Sequence, residues 1–403
     1  MNKTTTLNHY YKRSLYMNKH NTIFGQMLEF ISRSRFGKLI KEYKTEYGAK
    51  GLKSWTQFAA MLFGQITGQH GLRSIERGMN SQKNSWYHIG ISNIEREVKR
   101  STLSYANAHR DADLFKALFE SLVAEAQSMP GKHGFKFKNP LFSIDSTVID
   151  LCLKLFPWAD FRKEKGGIKL TIKLDHQGKI PCFAIVTDAR EHDISGIKKV
   201  PYNPGDVLIF DRGYVDYTYF ESLCNEKTWF VTRLKKNAVF RYGRKRSVTE
   251  SGNVLSDYEI TIPALSNEIT LRKIIVRDRE TKKKIVLLTN NLQWSSATIA
   301  AIYKDRWQIE LFFKALKQNL KIKRFYGNSK NAVMTQIWIA LIAYLLFYLL
   351  KQKSKCWELS FTNFISVIKT MLFHRVCLYD WLCGTSPPPK QKLSMALNPE
   401  FQW

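Results

Sequence analysis

The feature that most constrains the fold is a long apolar run at residues 333–350, where Thr335 and Gln336 are the only clearly polar side chains. The run is about as long as the shortest helix that spans a membrane, so it has to be buried either in lipid or in a protein core. It would be the only such span in the chain, and it directly follows a strongly basic helix. We therefore predict a helix buried against a β-sheet, and no association with a membrane.

The charge balance limits the kind of partner. The chain of 403 residues has 63 Lys and Arg against 34 Asp and Glu, a formal net charge of +29 and a pI near 9.8. An excess this large favours a polyanionic partner, and nucleic acid is the commonest one. The alternative is a basic protein that is merely soluble. Hydrophobic residues make up 44% of the chain, which is typical of a globular protein.

The cysteines and the N-terminal segment indicate a reducing, cytoplasmic location. The first twenty residues lack the apolar core of a signal peptide. No two cysteines form a C-x-x-C pair, so we expect neither a zinc site nor a disulfide framework. The six cysteines are Cys152, Cys182, Cys224, Cys356, Cys377 and Cys383.

The first third of the chain has a helical pattern. Apolar residues recur at steps of three and four in Phe24, Met27, Leu28 and Ile31, and the pattern continues to about residue 129. Residues 101–107 follow two basic residues and predict the start of a capped helix with small polar side chains. Such a surface could contact DNA, or the segment could be an ordinary capped helix. We predict a basic tail over residues 1–21 and a helical DNA-binding domain over residues 22–135.

The pattern then changes to that of a mixed α/β sheet. We predict a catalytic domain over residues 136–350, with a basic β insertion at about 235–289, and a C-terminal helical region and tail over 351–403. A single helix is expected from about residue 295 to 323, with further helices to about residue 381. The predicted strands are 141–149, 169–174, 180–187, 207–210, 229–232, 258–262, 270–276 and 284–288, with a helix at 217–225.

Two aspartates lie on or after predicted strands. Asp145 is in the middle of an apolar strand, where a carboxylate is costly unless it is paired or binds a metal. The alternative is that it faces solvent. Asp211 follows the apolar run 207–210, and ligands gather at the carboxyl ends of strands in α/β sheets. An Asp before Arg212-Gly213 is also common in a plain turn.

Glu310 lies within a basic face of the predicted helix at 295–323. At about 100° per residue, Tyr303, Arg306, Glu310 and Lys317 fall within about 60° of one another. Lys314, Lys321 and Arg324 share that face. The positive charges of this stripe repel one another unless phosphates neutralise them. A carboxylate within the stripe can hold a metal against the phosphate that the Lys and Arg side chains bind. Three acids on two strands and a helix therefore favour a two-metal phosphoryl-transfer site, with Mg²⁺ as the metal.

The order and spacing of these motifs resemble a known family. Residues 303–317 contain the pattern Y-x-x-R-x-x-x-E-x-x-x-x-x-x-K, which resembles the signature of bacterial insertion-sequence DDE transposases of the cut-and-paste group. Residues 144–147 resemble the first acidic motif of that group, and residues 211–214 with Asp216 resemble the second. The resemblance covers roughly residues 138–350.

The resemblance implies a fold, a chemistry and a set of residue roles. It implies a ribonuclease-H-like catalytic core with a β insertion before the last catalytic helix, and metal ligation by Asp145, Asp211 and Glu310. Two Mg²⁺ ions are expected, and Mn²⁺ could replace them. The resemblance also implies DNA contacts by Tyr303, Arg306 and Lys317, and we expect Lys314 and Lys321, which share the same helix face, to contact DNA as well. Some relatives have a tryptophan in the last insertion strand that stacks on an extruded base, whereas residues 284–288 contain none, and Trp294 is the nearest substitute.

The expected activity is therefore cleavage of double-stranded DNA at insertion-sequence ends and strand transfer into target DNA. We expect a homodimer on paired DNA ends, in a bacterial cytoplasm and associated with the nucleoid. Two alternatives remain open from the sequence. One is a domesticated nuclease of the same fold, and the other is a DNA-binding regulator with an inactive site.

Overall fold

The structure is a computed structural model. It describes residues 21–378 except 50, 93, 130, 132, 163–164, 249–252, 266–268, 279, 321, 323 and 355–357. The predicted basic tail before residue 21, Cys356, Cys383, Lys321 and the chain beyond residue 378 lie outside the described residues.

The first third of the described chain is helical, as predicted. Side-chain caps begin two of these helices, at Thr22 and Ser32, and a left-handed Gly68 ends another. The helices are α1 (Ile23–Leu28), α2 (Arg33–Glu42), α3 (Ser54–Thr67), α4 (Leu72–Ser81), α5 (Arg100–His109) and α6 (Asp113–Ser128), with a 3₁₀ helix at Lys83–Ile89 before α5.

A mixed ten-stranded sheet follows, which confirms the predicted α/β class. Its order is β2-β3-β1-β5-β6-β10-β9-β8-β7, and β4 also pairs with β3. The strands are β1 (Leu141–Leu151), β2 (Asp160–Arg162), β3 (Lys165–Asp175), β4 (Ile180–Asp188), β5 (Val207–Ile209), β6 (Trp229–Arg233), β7 (Arg241–Lys245), β8 (Val254–Thr261), β9 (Leu271–Arg277) and β10 (Lys284–Thr289). Two helices lie between these strands: α7 (Asp193–Ile197) and α8 (Tyr217–Asn225).

The centre of the sheet brings the two aspartates to one edge. β1, β5 and β6 run parallel, whereas β3 is antiparallel to β1. The last aligned pair of β1 and β5 is Ser143 with Ile209. Asp145 and Asp211 each stand two residues further along the chain, so both lie at the carboxyl edge of the parallel strands.

The segment predicted as a β insertion contains strands β7 to β10. β10 pairs with the central strand β6, so the insertion continues the main sheet and does not form a separate one. The strands at 254–261, 271–277 and 284–289 agree with the predicted positions to within a few residues.

The predicted single helix over residues 295–323 is wrong in two respects. It is divided into α9 (Ser296–Asp305) and α10 (Trp307–Asn319) by a tight turn at Arg306, where hydrogen bonds join residues three apart. It also ends at Asn319, so Arg324 lies beyond the helix and does not extend the basic face. The face therefore retains Tyr303, Arg306, Glu310, Lys314 and Lys317 within the described chain.

The apolar run forms helix α11 (Lys330–Ser354), which is buried as predicted. By length and composition the helix could cross a membrane, but 94% of its most apolar window is buried inside the protein. It packs against α6 and α3 as well as β4, so helices and not only a sheet surround it. One hydrophobic cluster connects the N-terminal helices, β3, β4, α10, α11 and a further helix, α12 (Phe361–Thr370). This cluster extends across the predicted domain boundaries.

Candidate active site

Asp145 lies on β1 in a largely buried position. Its Oδ1 accepts hydrogen bonds from the backbone N–H of Ser146 at 2.8 Å and from the hydroxyl of Tyr214 at 3.0 Å. Burial raises the pKa of Asp145 to about 6, and the negative charge of Glu310 acts in the same direction. The two hydrogen bonds and Arg306 oppose this rise without cancelling it. The carboxylate is therefore held in place but incompletely compensated.

Arg306 stands between two of the predicted catalytic acids. Its Nη1 lies 2.9 Å from Oε1 of Glu310 and 3.8 Å from Oδ2 of Asp145, and its side chain is 16% exposed. Burial acts to lower the pKa of Arg306, but the surrounding Tyr303 and carboxylates outweigh it and raise that pKa. The turn between α9 and α10 places this guanidinium where it contacts an acid from each of two elements.

Asp211 also contacts the helix pair α9 and α10. The hydroxyl of Tyr303 on α9 donates to Oδ1 of Asp211 at 3.3 Å. Burial raises the pKa of Tyr303 to about 12, so the phenol stays protonated and remains a donor at neutral pH. Tyr303 and Arg306 thus connect α9 to Asp211 and Asp145, while Glu310 projects from the first turn of α10.

The predicted lysines differ in position. Lys317 on α10 donates from Nζ to the Oγ1 of Thr147 on β1, two residues beyond Asp145. Lys314 is exposed on α10. Lys321 lies outside the described residues. Lys317 is therefore tied to the strand of the site, whereas Lys314 faces solvent.

A buried network that the sequence did not reveal supports the junction of α9 and α10. Nδ1 of His176 donates to Oδ2 of Asp305 at 2.6 Å, and Nε2 lies 2.7 Å from Oγ of Ser143. Asp305 directly precedes Arg306, and Ser143 is two residues before Asp145. Ser143 is fully buried, which excludes it as a nucleophile despite the serine–histidine–aspartate arrangement. His176 is the first residue of the turn between β3 and β4, and only its contact with Asp305, distant in sequence, reveals its role in this network.

Within the described chain, no three acidic, histidine or cysteine side chains converge closely enough to bind a metal as they stand. Instead, one guanidinium and one phenol occupy the space between the three carboxylates. All of the donors are hard oxygens on separate elements, which is the chemistry that Mg²⁺ prefers. The residues are thus suited to a divalent ion, and such an ion would take the place of Arg306 as the partner of Asp145 and Glu310.

Trp294 is not placed to substitute for the missing tryptophan of the insertion. Its ring stacks on Phe137 with centroids 4.2 Å apart and an interplanar angle of 15°. The two rings belong to the segments before β1 and before α9, at the end of the sheet opposite Asp145 and Asp211. Trp294 therefore stabilises a connection between segments that is remote from the carboxylates.

Comparisons with known proteins identify the family of the chain. A family model described as a transposase DDE domain matches residues 136–346, more than half of the chain, and a model described as a domain of unknown function matches residues 19–92. A putative transposase from Sinorhizobium fredii is 32% identical over 71% of this chain and 80% of its own length. A probable insertion-sequence transposase from Geobacillus stearothermophilus is 25% identical over 91% of this chain and 95% of its own length.

One solved structure has a more distant similarity. It is a cryo-EM structure of a piggyBac transposase synaptic complex with hairpin DNA, with a TM-score of 0.44 and 11% identity. The match covers 92% of this chain and 82% of that one. A similarity at this level supports no conclusion about the reaction of the present chain.

Proposed function

The chain belongs to the family of DDE transposases, and from this premise we propose that it cuts DNA at the ends of an insertion sequence and joins those ends to target DNA. The family and the insertion-sequence relatives make it a DNA-processing enzyme. The finer proposal is a cut-and-paste reaction in which Asp145, Asp211 and Glu310 are the catalytic carboxylates.

The observation that carries this proposal is the arrangement of three acids around Arg306. Asp145 and Asp211 stand at the same edge of the sheet, and Arg306 links Asp145 to Glu310 on α10. Two strands and a helix thus present their acids to one partly open space. A structural ion pair would need one acid for this arginine, and the additional acids support a catalytic role.

The strand order supports a ribonuclease-H-like core as part of the proposal. Three antiparallel strands, β4, β3 and β1, are followed by the parallel strands β5 and β6. The insertion then leads to the helix that carries Glu310, as the sequence resemblance implies.

Two Mg²⁺ ions, replaceable by Mn²⁺, are the proposed cofactor. Asp145, Asp211 and Glu310 would hold them, and the ions would activate the attacking oxygen and stabilise the leaving oxygen of the phosphate. The incomplete compensation of Asp145 supports this assignment, because Arg306 is shared between Asp145 and Glu310 and is also under the electrostatic influence of Asp211.

The side chains around the acids have proposed roles on DNA. When phosphates enter the site, Arg306 would exchange its carboxylate partners for phosphate oxygens, which a guanidinium can bind through two parallel hydrogen bonds. Tyr303 and Lys317 would hold the same strand from either side, and Lys314 and Lys321 would follow its backbone. We further propose that a homodimer acts on paired DNA ends in the bacterial cytoplasm, without contact with a membrane.

The test uses the full-length chain and an end-labelled duplex that contains the terminal inverted repeat bordering the gene. Asp145→Asn, Asp211→Asn and Glu310→Gln should each reduce Mg²⁺-dependent cleavage by at least about a thousandfold, or about 4 kcal/mol of activation free energy. Binding of the duplex should remain within a few-fold of the wild type.

Asp150→Asn is the matched control, because Asp150 is an exposed acid on the same strand as Asp145. Near wild-type cutting by any of the three site variants would remove that residue from the active site. Absence of cutting by the wild-type protein on every duplex, with binding intact, would favour a DNA-binding regulator. Cutting without joining would favour a nuclease.

A further inference from the structure

Helices α3 and α4 form a closely packed pair joined by a short turn. The turn spans residues 68–71, in which Gly68 has a left-handed conformation with φ of 67° and Gly71 precedes α4. A pair of helices joined by about three or four residues that include glycine is the arrangement of a helix-turn-helix unit. Nearly all of α3 is buried, whereas only Leu72, Ile75 and Met79 of α4 are buried.

Two glycines allow the helices to approach each other. A Cβ atom on Gly64 of α3 would lie 2.3 Å from Cδ1 of Ile75 on α4. A Cβ atom on Gly78 of α4 would lie 2.7 Å from the ring of Phe63 on α3. Each helix therefore inserts a large side chain over a glycine of the other, which fixes the orientation of α4 on α3.

The outer face of α4 is polar and positively charged. Arg73, Arg77 and Ser81 are exposed and Ser74 is half-buried, and at about 100° per residue these four positions cover one continuous face of the helix. No aliphatic or aromatic side chain lies on this face, so it does not resemble the apolar centre of a protein–protein interface.

The other polar residues of α4 are used inside the protein. Asn80 exchanges hydrogen bonds with the backbone of Val98, and Glu76 accepts from the backbone N–H of Arg100. Glu76, the acid on α4, therefore anchors the start of α5. Exposed Arg324 lies beside His70 before α4, and exposed Lys83 follows its end.

The same pair of helices is attached to the chain that follows the catalytic helix. The hydroxyl of Tyr326 is within hydrogen-bond distance of the carbonyl oxygens of Gly64, at 3.0 Å, and of Gln69, at 3.1 Å. Its backbone N–H donates to Oε1 of Gln336 on α11. The turn between α3 and α4 is thus fixed only a few residues from the end of α10, which carries Glu310.

We propose that α3 and α4 are a helix-turn-helix unit and that Arg73 and Arg77 on α4 read base edges in the major groove of the insertion-sequence end. The occupant is double-stranded DNA, because an arginine-bearing polar helix with basic residues at both ends complements a groove lined by phosphates. The inference rests on the proposed function, and it adds which helix recognises the cognate end. Attachment through Tyr326 holds that helix at a fixed position relative to the carboxylates.

The test compares two duplexes of equal length, one with the terminal inverted repeat and one with the same bases shuffled. Dissociation constants are measured with the full chain, without divalent ions and at one salt concentration. The ratio of the two constants reports base recognition. Arg73→Ala/Arg77→Ala should reduce the end preference by at least about tenfold, since each bidentate arginine–guanine contact contributes about 1–3 kcal/mol to discrimination.

A second variant separates base recognition from charge and from folding. Arg73→Lys/Arg77→Lys keeps both charges but loses the planar fork, so the end preference should fall while binding of the shuffled duplex stays close to wild type. The charge-matched control is Lys38→Ala/Lys116→Ala, which removes two exposed cations from other helices of the same unit. It should leave the preference unchanged.

The outcomes distinguish this inference from the proposed function. An end preference that survives both arginine variants would overturn the assignment of α4, and so would equal losses on the two duplexes in both variants. Neither result would affect the cleavage test of the carboxylates. Wild-type protein that binds both duplexes equally would contradict end recognition altogether, and with it the proposed function.

Discussion

Asp257 in the β insertion and Asp145 in the candidate active site are two carboxylates of the same sheet that face an arginine in different ways. Asp257 and Arg272 are 1% and 2% exposed, and Nε of Arg272 lies 2.9 and 3.1 Å from the two oxygens of Asp257. Arg272 also donates to the carbonyl oxygens of Asn291 and Trp294. Asp145, in contrast, shares Arg306 with Glu310, and its Oδ2 lies 3.8 Å from Nη1 of Arg306.

The difference teaches how a structural carboxylate is distinguished from a functional one. In the insertion, one arginine satisfies one acid completely, and its remaining donors fix the segment where α9 begins. In the site, one arginine faces three acids, and the surroundings remain partly open. Excess negative charge held by a rigid sheet is the condition in which a divalent ion is bound strongly.

The largest effect is expected when the complete pair is broken. Arg272→Met leaves Asp257 charged and buried without a partner, and it removes the donors to Asn291 and Trp294. The free energy of unfolding should fall by about 3–5 kcal/mol, as measured by urea denaturation. The double variant Asp257→Leu/Arg272→Met should recover most of this loss. A single variant as stable as the wild type would contradict the structural role.

Replacing Asp145 is expected to raise the free energy of unfolding, whereas replacing Arg272 lowers it. Burial raises its pKa from the ordinary 3.8 to about 6, so the folded state binds the proton more tightly than the unfolded state does. The stability of the wild type therefore falls as pH rises between these two values, and the penalty is complete above pH 6. In chelator at pH 7, Asp145→Asn should be more stable than the wild type by about 1–3 kcal/mol.

The difference should disappear near pH 4, where Asp145 is protonated in the folded state. Urea denaturation at both pH values measures it, and Asp150→Asn is again the exposed control. An Asp145→Asn protein that is less stable than the wild type by the same amount at both pH values would show that Asp145 behaves like Asp257.

A smaller effect is expected from the network that supports the junction of α9 and α10. His176→Ala leaves the buried hydroxyl of Ser143 without its partner and releases Asp305 beside Arg306. Unfolding free energy should fall by about 1–3 kcal/mol. Cleavage by the folded protein should fall by about 10- to 100-fold through misplacement of Arg306, with the affinity for end DNA unchanged. His192→Ala, an exposed histidine, is the control, and equal cleavage rates would contradict the positioning role.

The smallest effect on stability is expected at the exposed edge of the site. Lys314→Ala should change unfolding free energy by less than about 0.5 kcal/mol. If Lys314 contacts a phosphate, the slope of log affinity against log salt should decrease by about 0.9. Gln318→Ala, an exposed neutral residue on the same helix, should leave the slope unchanged. An unaltered slope for Lys314→Ala would remove this residue from the DNA contacts.

The features that follow from local pattern could be predicted from the sequence. Local patterns of apolar residues mark three of these features: the apolar run at 333–350, the strands around Asp145 and Asp211, and the insertion strands. Such patterns do not depend on distant residues. The alignment of Asp145 with Asp211 follows from the general behaviour of parallel strands. The spacing of Tyr303, Arg306 and Glu310 predicts that they lie close together, and Arg306 does contact Glu310, although it lies in the turn between α9 and α10 and not on a helix.

The features that depend on distant contacts could not be predicted. The turn at Arg306 interrupts a sequence whose periodicity is continuous, so nothing local marks it. The contact of His176 with Asp305 joins residues far apart in the chain. Arg306 was expected to bind DNA phosphate, but without DNA it contacts Asp145 and Glu310, because a buried guanidinium needs acceptors.

The most direct test of the account is whether the three carboxylates bind a divalent ion together. Mn²⁺ binding can be followed by electron paramagnetic resonance on the wild type and on Asp145→Asn/Asp211→Asn/Glu310→Gln, each bound to the end duplex. The account predicts that the wild type removes free Mn²⁺ from solution and that the triple variant does so at least about tenfold more weakly, with DNA binding retained. Equal Mn²⁺ affinity in the two proteins would contradict it.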